Sequence, residues 1–325
     1  MGDAFDDFER RGYVLHGSAR WKQRKETIMG NGTFEQQGTL SMLDNVVYDV
    51  EKSPPKAFVY GVHGIGKSSW LASAARYGHN PILMLTEDGA KQLQCAKTPV
   101  CKTMQEAMGY LKALLNDKHE FTMLGVDTLD WLEKLIWNEA CLHFGCKDLS
   151  NIDYGKGYGY ARGLWQDFIE IFDDLISKRR MMVVLMAHAA IQKIETPEKT
   201  YDCFTPKLHT NSKGVGIGEE LCEWADILMF ARYEEYINKD KEGFGKEVTR
   251  VTGLGRRMLY TNKGPSYNAK NRYSLPSEIC MGEGQADFGI FWNAFCNSPV
   301  FQKKEQPAAD TQPVDVEAVP ETAAQ

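Results

Sequence analysis

The chain has 325 residues, 43% of them hydrophobic and 25% charged, with a formal net charge of −6. That is enough apolar material for a substantial core, in one large domain or two small ones, and no apolar run approaches the ~18 residues of a membrane helix. The opening residues Met1-Gly2-Asp3-Ala4-Phe5-Asp6-Asp7 are acidic and lack the apolar stretch of a secretory signal, so a cytoplasmic protein with no membrane partner is expected.

In chain order, residues 1–40 are rich in charge and glycine and poor in apolar periodicity, which predicts a mobile N-terminal arm. Met29 and Met42 offer alternative starts within or just after it. From Ser41 to residue 300 the pattern is that of one folded domain. Ala57-Phe58-Val59-Tyr60 reads as a buried strand, followed by a glycine-rich turn and an alanine-rich helix to about Arg76. Pro81-Ile82-Leu83-Met84-Leu85 is a second buried strand, and Thr103 to Leu115 carries a helical apolar stripe. Phe121 to Val126 is a third strand, and Leu129, Leu132, Leu135, Ile136 and Ala140 trace the helix after it. A glycine- and tyrosine-rich segment, Tyr154 to Tyr160, precedes an amphipathic helix marked by Leu164, Phe168, Ile171, Phe172 and Leu175. Met181 to Met186 is the fourth strand, ending at Ala187-His188.

Residues 190–218 are polar and hold Pro197, Pro206, Gly214, Gly216 and Gly218, which predicts a long functional loop. Trp224 to Tyr236 and Thr249 to Thr261 read as further strands, and a short helix lies near Phe288 to Phe295. Residues 301–325 predict a disordered acidic tail. The last 21 residues hold five acids and no base, so the remaining 304 carry a net charge near −1. A basic groove is therefore compatible with the composition. Continuous apolar strands alternating with helices specify an α/β fold, a mostly parallel central sheet flanked by helices, with antiparallel additions at the C-terminal side. The eight cysteines form no C-x-x-C pair, and the spacing of Cys141 and Cys146 does not suit a zinc site, which leaves buried reduced thiols.

Gly61-Val62-His63-Gly64-Ile65-Gly66-Lys67-Ser68 fits G-x-x-x-x-G-K-[ST] at every fixed position, between a strand and a helix. Such a loop turns successive backbone N–H groups, including that of Ser69, toward a triphosphate, and the helix N-terminus adds positive potential. ATP and Mg²⁺ are the expected ligands, with Lys67 on the β- and γ-phosphates and the Ser68 hydroxyl on the metal. In parallel sheets ligands gather at the carboxyl ends of strands. Asp127 ends the third strand, where it suits Mg²⁺ together with Ser68, or caps the next helix, or does both. Glu87 ends the second, placed to orient and deprotonate an attacking water, with Asp88 as an alternative or both as solvated turn residues. His188 ends the fourth, as a γ-phosphate sensor or as a satisfied core histidine.

The phosphate loop, Thr86-Glu87-Asp88, Asp127-Thr128 and a polar residue after the fourth strand resemble, in that order, the RecA-like P-loop ATPase core. More narrowly, Tyr60 to Ser68, Thr86-Glu87-Asp88-Gly89, Tyr154-Gly155-Lys156-Gly157-Tyr158 and the Leu259–Pro276 region resemble phage-encoded RecA-like ATPases grouped with single-strand annealing proteins. The resemblance spans about residues 41–300. It implies a DNA-stimulated ATPase of phage recombination or annealing, a homo-oligomer acting on single-stranded DNA, and a single-strand-binding or replication partner. It also implies that Lys67, Ser68 and Asp127 bind Mg-ATP and that Glu87 is the base, with His188 standing where such proteins usually carry glutamine. Loops after the third and fourth strands face DNA in that group, here through Lys156, Tyr158, Arg162, Lys207 and Lys213, unless the tyrosine packs inward and the lysines are merely solvated. Lys270 and Arg272 would reach a neighbouring subunit's γ-phosphate, or else sit in a surface hairpin. Two other readings use the same loop: a nucleotide or small-molecule kinase, and a non-hydrolysing module in which nucleotide is a structural switch.

Overall fold

The computed structural model describes residues 53–301 apart from 153–154, 196, 212–215 and 243–245, and for 235–254 it describes backbone alone. The expectations for the N-terminal arm, the acidic tail and Lys213 lie outside the described residues.

The strands are β1 (Lys56–Gly61), β2 (Pro81–Leu85), β3 (Ala96–Lys97), β4 (Met123–Asp127), β5 (Met182–Glu195), β6 (Thr200–Pro206), β7 (Ile227–Glu242), β8 (Lys246–Tyr260), β9 (Lys270–Asn271) and β10 (Glu278–Cys280). The α-helices are α1 (Lys67–Ala72), α2 (Met104–Asn116), α3 (Leu129–Phe144), α4 (Lys156–Arg179), α5 (Ile217–Trp224) and α6 (Phe288–Cys296). The sheet runs β10-β8-β7-β1-β5-β4-β2-β3, parallel from β7 to β3 and antiparallel where β8, β9 and β10 join. This is the expected α/β architecture.

The parallel strands are apolar without interruption because both faces are covered. Phe58, Tyr60, Leu124, Val126, Val183 and Leu185 point to one side, against α2, α3, α4 and α5. Val59, Leu83, Val184, Met186 and Met229 point to the other, against Trp70 and Leu71 of α1 and Phe288 and Phe291 of α6. Gly125 in mid-β4 is required by this second layer, since a Cβ there would stand 2.3 Å from the Leu71 side chain and 2.7 Å from Leu83. The helix α2 starts where the N-cap Thr103 accepts a hydrogen bond from the Glu106 N–H (3.1 Å), while Glu106 accepts one from the N–H of Lys102, the residue before the cap (2.7 Å).

Three sequence expectations need correction. The fourth strand does not stop at His188. It runs on to Glu195, and its far half pairs antiparallel with β6 over Ala189–Glu195, so much of the polar stretch 190–218 is a hairpin arm rather than a loop. Trp224 ends the helix α5, which contains Gly218 and buries Ile217, Leu221 and Cys222; the strand after it begins at Ile227. The glycine-tyrosine segment is not a loop either, because Lys156 to Arg162 form the first turns of α4. Among the described residues no helix is long and apolar enough to cross a membrane.

Candidate nucleotide and hydrolysis site

The strand order decides which side chains meet. β5 lies between β1 and β4, so those two strands run two strand spacings apart, about 9–10 Å. Into that gap the register puts the end of the parallel half of β5, with His188 opposite Gly61 and Met186 opposite Asp127. Ser68, in the first turn of α1, spans the gap from above: its hydroxyl donates to Asp127 Oδ2 at 2.5 Å.

The loop from Gly61 to Gly66 is a backbone cradle. Gly64 (φ 72°) and Gly66 (φ 100°) adopt left-handed conformations that L side chains rarely take. At Gly61 a Cβ would stand 2.2 Å from the Ala231 carbonyl oxygen, so only glycine lets β1 turn there against β7. Ile65 is fully buried and anchors the loop, whereas Val62 and His63 line the adjoining cleft and Ser69 is exposed in α1. Lys67 is buried, its ammonium donating to the carbonyls of Gly61 (3.2 Å) and Val62 (3.3 Å). Burial lowers its pKa, against the opposing pull of Asp127, Asp130 and Glu87.

Glu87 lies two residues past β2 and Asp127 ends β4. Thr86 locks the two tips together, its hydroxyl donating to the Thr128 carbonyl and accepting from the Thr128 N–H, both at 2.7 Å. Burial raises the pKa of Glu87, with His188 opposing, and raises that of Asp127, with the Ser68 hydrogen bond opposing. The Ser68 hydroxyl and the carboxylates form a hard-oxygen donor set that fits Mg²⁺, and the Lys67 ammonium beside them suits the phosphates of a triphosphate. The structure also separates two neighbours: Asp88 turns outward to Lys91 (2.5 Å), while Glu87 faces His188 at 3.8 Å.

Sequence reasoning missed Asp130, in the first turn of α3. Its carboxylate accepts from the His188 backbone N–H (3.1 Å) and contacts His188 Nδ1 through both oxygens (3.1 and 3.0 Å). Burial raises the Asp130 pKa, but the His188 hydrogen bonds outweigh it and the net shift is downward. Also missed was Arg257 of β8, whose guanidinium lies 3.6 Å from where a Cβ on Gly66 would stand. A cleft of about 290 Å³ opens beside the loop, lined by Val62, His63, Asp130, His188 and Lys207 together with Trp131 and Lys134.

The remaining expected residues lie elsewhere. Tyr158 stacks on His209 (4.5 Å between centroids), and Arg162 pairs with Glu220 at 2.5 Å. Lys156 is exposed at the start of α4. Lys207 is exposed at the cleft, where its N–H donates to the His188 carbonyl (2.8 Å). Lys270 and Arg272 flank the start of β7, at the opposite rim of the sheet from this chain's phosphate loop. Lys270 donates to the carbonyls of Glu223 (2.6 Å) and Cys222 (3.3 Å), and Arg272 to Asp226 (2.9 Å).

A glycine cradle with a buried lysine, a serine–aspartate pair across an inserted strand, and a glutamate on the next tip define a P-loop NTPase with the RecA-like strand order. The AAA domain family profile AAA_24 matches residues 53–273, and the chain belongs to that family. No curated protein matches. Among solved structures, the RadB recombinase is similar with 10% identity and a TM-score of 0.39, covering 72% of this chain and 91% of that one. The flagellar accessory protein FlaH from Methanocaldococcus jannaschii is similar with 11% identity and a TM-score of 0.34, covering 73% and 89%. Neither likeness adds to the fold argument, which rests on the strand order and register.

Proposed function

We propose that the chain is a Mg²⁺-dependent, oligomeric ATPase whose turnover is stimulated by single-stranded DNA, acting in phage recombination or annealing. The observation that carries the hydrolytic part is the convergence of Lys67, the Ser68–Asp127 pair and Glu87 on one rim of the sheet, at the ends of β1, β4 and β2. In this reading the loop amides and Lys67 hold the β- and γ-phosphates, and Ser68 and Asp127 hold the metal. Mg²⁺, when bound, neutralises charge on the phosphate oxygens. Glu87 orients the attacking water and takes its proton as the bond from phosphorus to the leaving oxygen breaks. The raised pKa of Glu87 makes it a stronger base than an exposed carboxylate, which supports the role.

The DNA part is supported by the exposed Lys156 and Lys207, and by Trp131 with the Lys134 ammonium 3.4 Å above its ring beside Lys207. Tyr158 and Arg162 support it less, having one ring face and one charge already engaged within the chain. Lys270 and Arg272 serve a γ-phosphate only in a neighbouring copy, and only by releasing their present partners.

ATP turnover measured with and without single-stranded DNA tests the reading, alongside Lys67→Ala, expected to lose turnover, and Glu87→Gln, expected to bind ATP without hydrolysing it. Binding without turnover in the unsubstituted protein would instead favour the switch module, and turnover only with a small acceptor would favour a kinase.

A further inference from the structure

We propose that Asp130 is a positioning residue that fixes His188 so that its Nε2 and the Glu87 carboxylate share one water in front of a bound γ-phosphate. This inference rests on the hydrolytic reading above.

Asp130 is nearly buried (5% exposed) while His188 and Glu87 are each about one-fifth exposed, at 22% and 23%. The chain of contacts is therefore anchored inside α3 and ends at the cleft. Both Asp130 oxygens lie within 3.1 Å of His188 Nδ1, and an ionised carboxylate only accepts. The proton of the neutral ring is thus held on Nδ1, and the backbone N–H of His188 donates to the same carboxylate, fixing the direction of the ring as well as its tautomer. What remains free is Nε2, a lone-pair acceptor, 3.8 Å from Glu87 Oε1. That separation is too long for a direct hydrogen bond. A water oxygen at hydrogen-bond distance from both atoms subtends roughly a right angle, close to the angle between its own two O–H bonds.

Two acceptors on one water hold both of its hydrogens and leave a lone pair to face phosphorus. As the water oxygen bonds to phosphorus, one O–H bond breaks and its proton passes to Glu87, while the second O–H stays intact on Nε2. The bond from phosphorus to the bridging oxygen breaks, and its electron pair leaves with ADP.

Asp130→Asn separates this role from simple packing. The amide oxygen can replace Oδ1 and keep the backbone N–H of His188, which puts the amide NH₂ against Nδ1. The ring proton then moves to Nε2, which becomes a donor and can no longer hold the water. We expect kcat to fall about 10²–10⁴-fold, the range for loss of general-base positioning, with the KM for ATP changed less than about threefold. Nitrogen NMR of the neutral His188 ring in nucleotide-free protein should show a proton on Nδ1 in the unsubstituted chain and on Nε2 in Asp130→Asn. In a His188→Gln background Asp130→Asn should cost no more than about twofold further, because its effect passes through the ring.

An Nε2 proton in the unsubstituted chain, undiminished kcat in Asp130→Asn, or multiplying effects of the two substitutions would each overturn the proposal. If Asp130→Asn does not fold, the nitrogen spectrum of the unsubstituted chain decides alone. Absence of ATP turnover in the unsubstituted protein would sink the hydrolytic reading instead, and the tautomer measurement would remain as a test of what Asp130 does to His188.

Discussion

Glu133 is the buried acid with the clearest energetic signature. It lies one turn beyond Asp130 on α3, and its carboxylate accepts from the His209 N–H (3.1 and 3.2 Å). Burial raises its pKa from 4.5 to about 7, with the His209 hydrogen bond opposing and the Asp130 charge adding. Folded protein therefore holds this proton over a pH range in which the unfolded chain has lost it. Stability from this group is fully present below about pH 4.5 and drains away as pH rises through about 7. At 1.36 kcal/mol per pKa unit, the shift is worth about 3 kcal/mol at pH 8 and about 1 kcal/mol at pH 5. Glu133→Gln keeps an acceptor for His209 and removes the charge. It should leave Tm within a few degrees at pH 5 and raise it by roughly 6–12 °C at pH 8, at roughly 2–4 °C per kcal/mol. Thermal unfolding followed by circular dichroism at both pH values measures this. An equal Tm difference at the two values would refute the reasoning, since it would mean that Glu133 carries no pH-linked cost.

Gly125→Leu drives a side chain into Leu71 and Leu83 and should destabilise the domain by about 1–3 kcal/mol or more, seen as a lower urea midpoint with an unchanged slope. Ser68→Ala removes the hydroxyl that donates to Asp127 and should raise the Mg²⁺ concentration needed for half-maximal turnover at least about tenfold, read from a Mg²⁺ titration at saturating ATP; an unchanged midpoint would remove Ser68 from the metal site. Replacing Lys156 and Lys207 together by alanine should weaken single-stranded DNA binding and reduce the slope of log K against log salt by about one to one and a half, as expected for loss of two phosphate contacts. An unchanged slope would move the DNA path elsewhere on the surface.

What could be read in the sequence, and what could not, follows from where each element finds its partners. Five of the six parallel strands were legible because each is buried on both faces, and the polar residues after β2 and β4 marked strand tips; β3, two half-buried residues, gave no such signal. The phosphate loop was legible for a local reason, since a backbone cradle needs glycines at set spacings. The far half of β5 was hidden because a strand declares itself by what it buries. Its burial falls from complete over Met182–Ala187 to alternately exposed and half-buried beyond, so the arm looks like polar loop until its pairing with β6 is seen. The start of α4 was masked by Gly157, Gly159 and Gly163, residues that weaken helix propensity. Gly157 is there for packing, since a Cβ would stand 2.7 Å from Ile152.

The Asp130–His188 clamp shows where reading a single sequence stops. Its partners are 58 residues apart, and no local spacing joins them. They meet because β5 is inserted between β1 and β4, which brings the end of its parallel half over the first turn of the helix that follows β4. Once that insertion is known, the residue three places after the strand-end aspartate, on the first turn of α3, becomes the natural partner for whatever side chain closes the parallel half of β5. A histidine there needs a carboxylate beneath it to choose between its two nitrogens, whereas a glutamine, with donor and acceptor both fixed, does not. The identity of residue 188 and that of residue 130 are thus one choice: a glutamine at 188 would leave the buried carboxylate of Asp130 without its ring partner, and a neutral residue at 130 would leave the imidazole free to present the wrong nitrogen to Glu87.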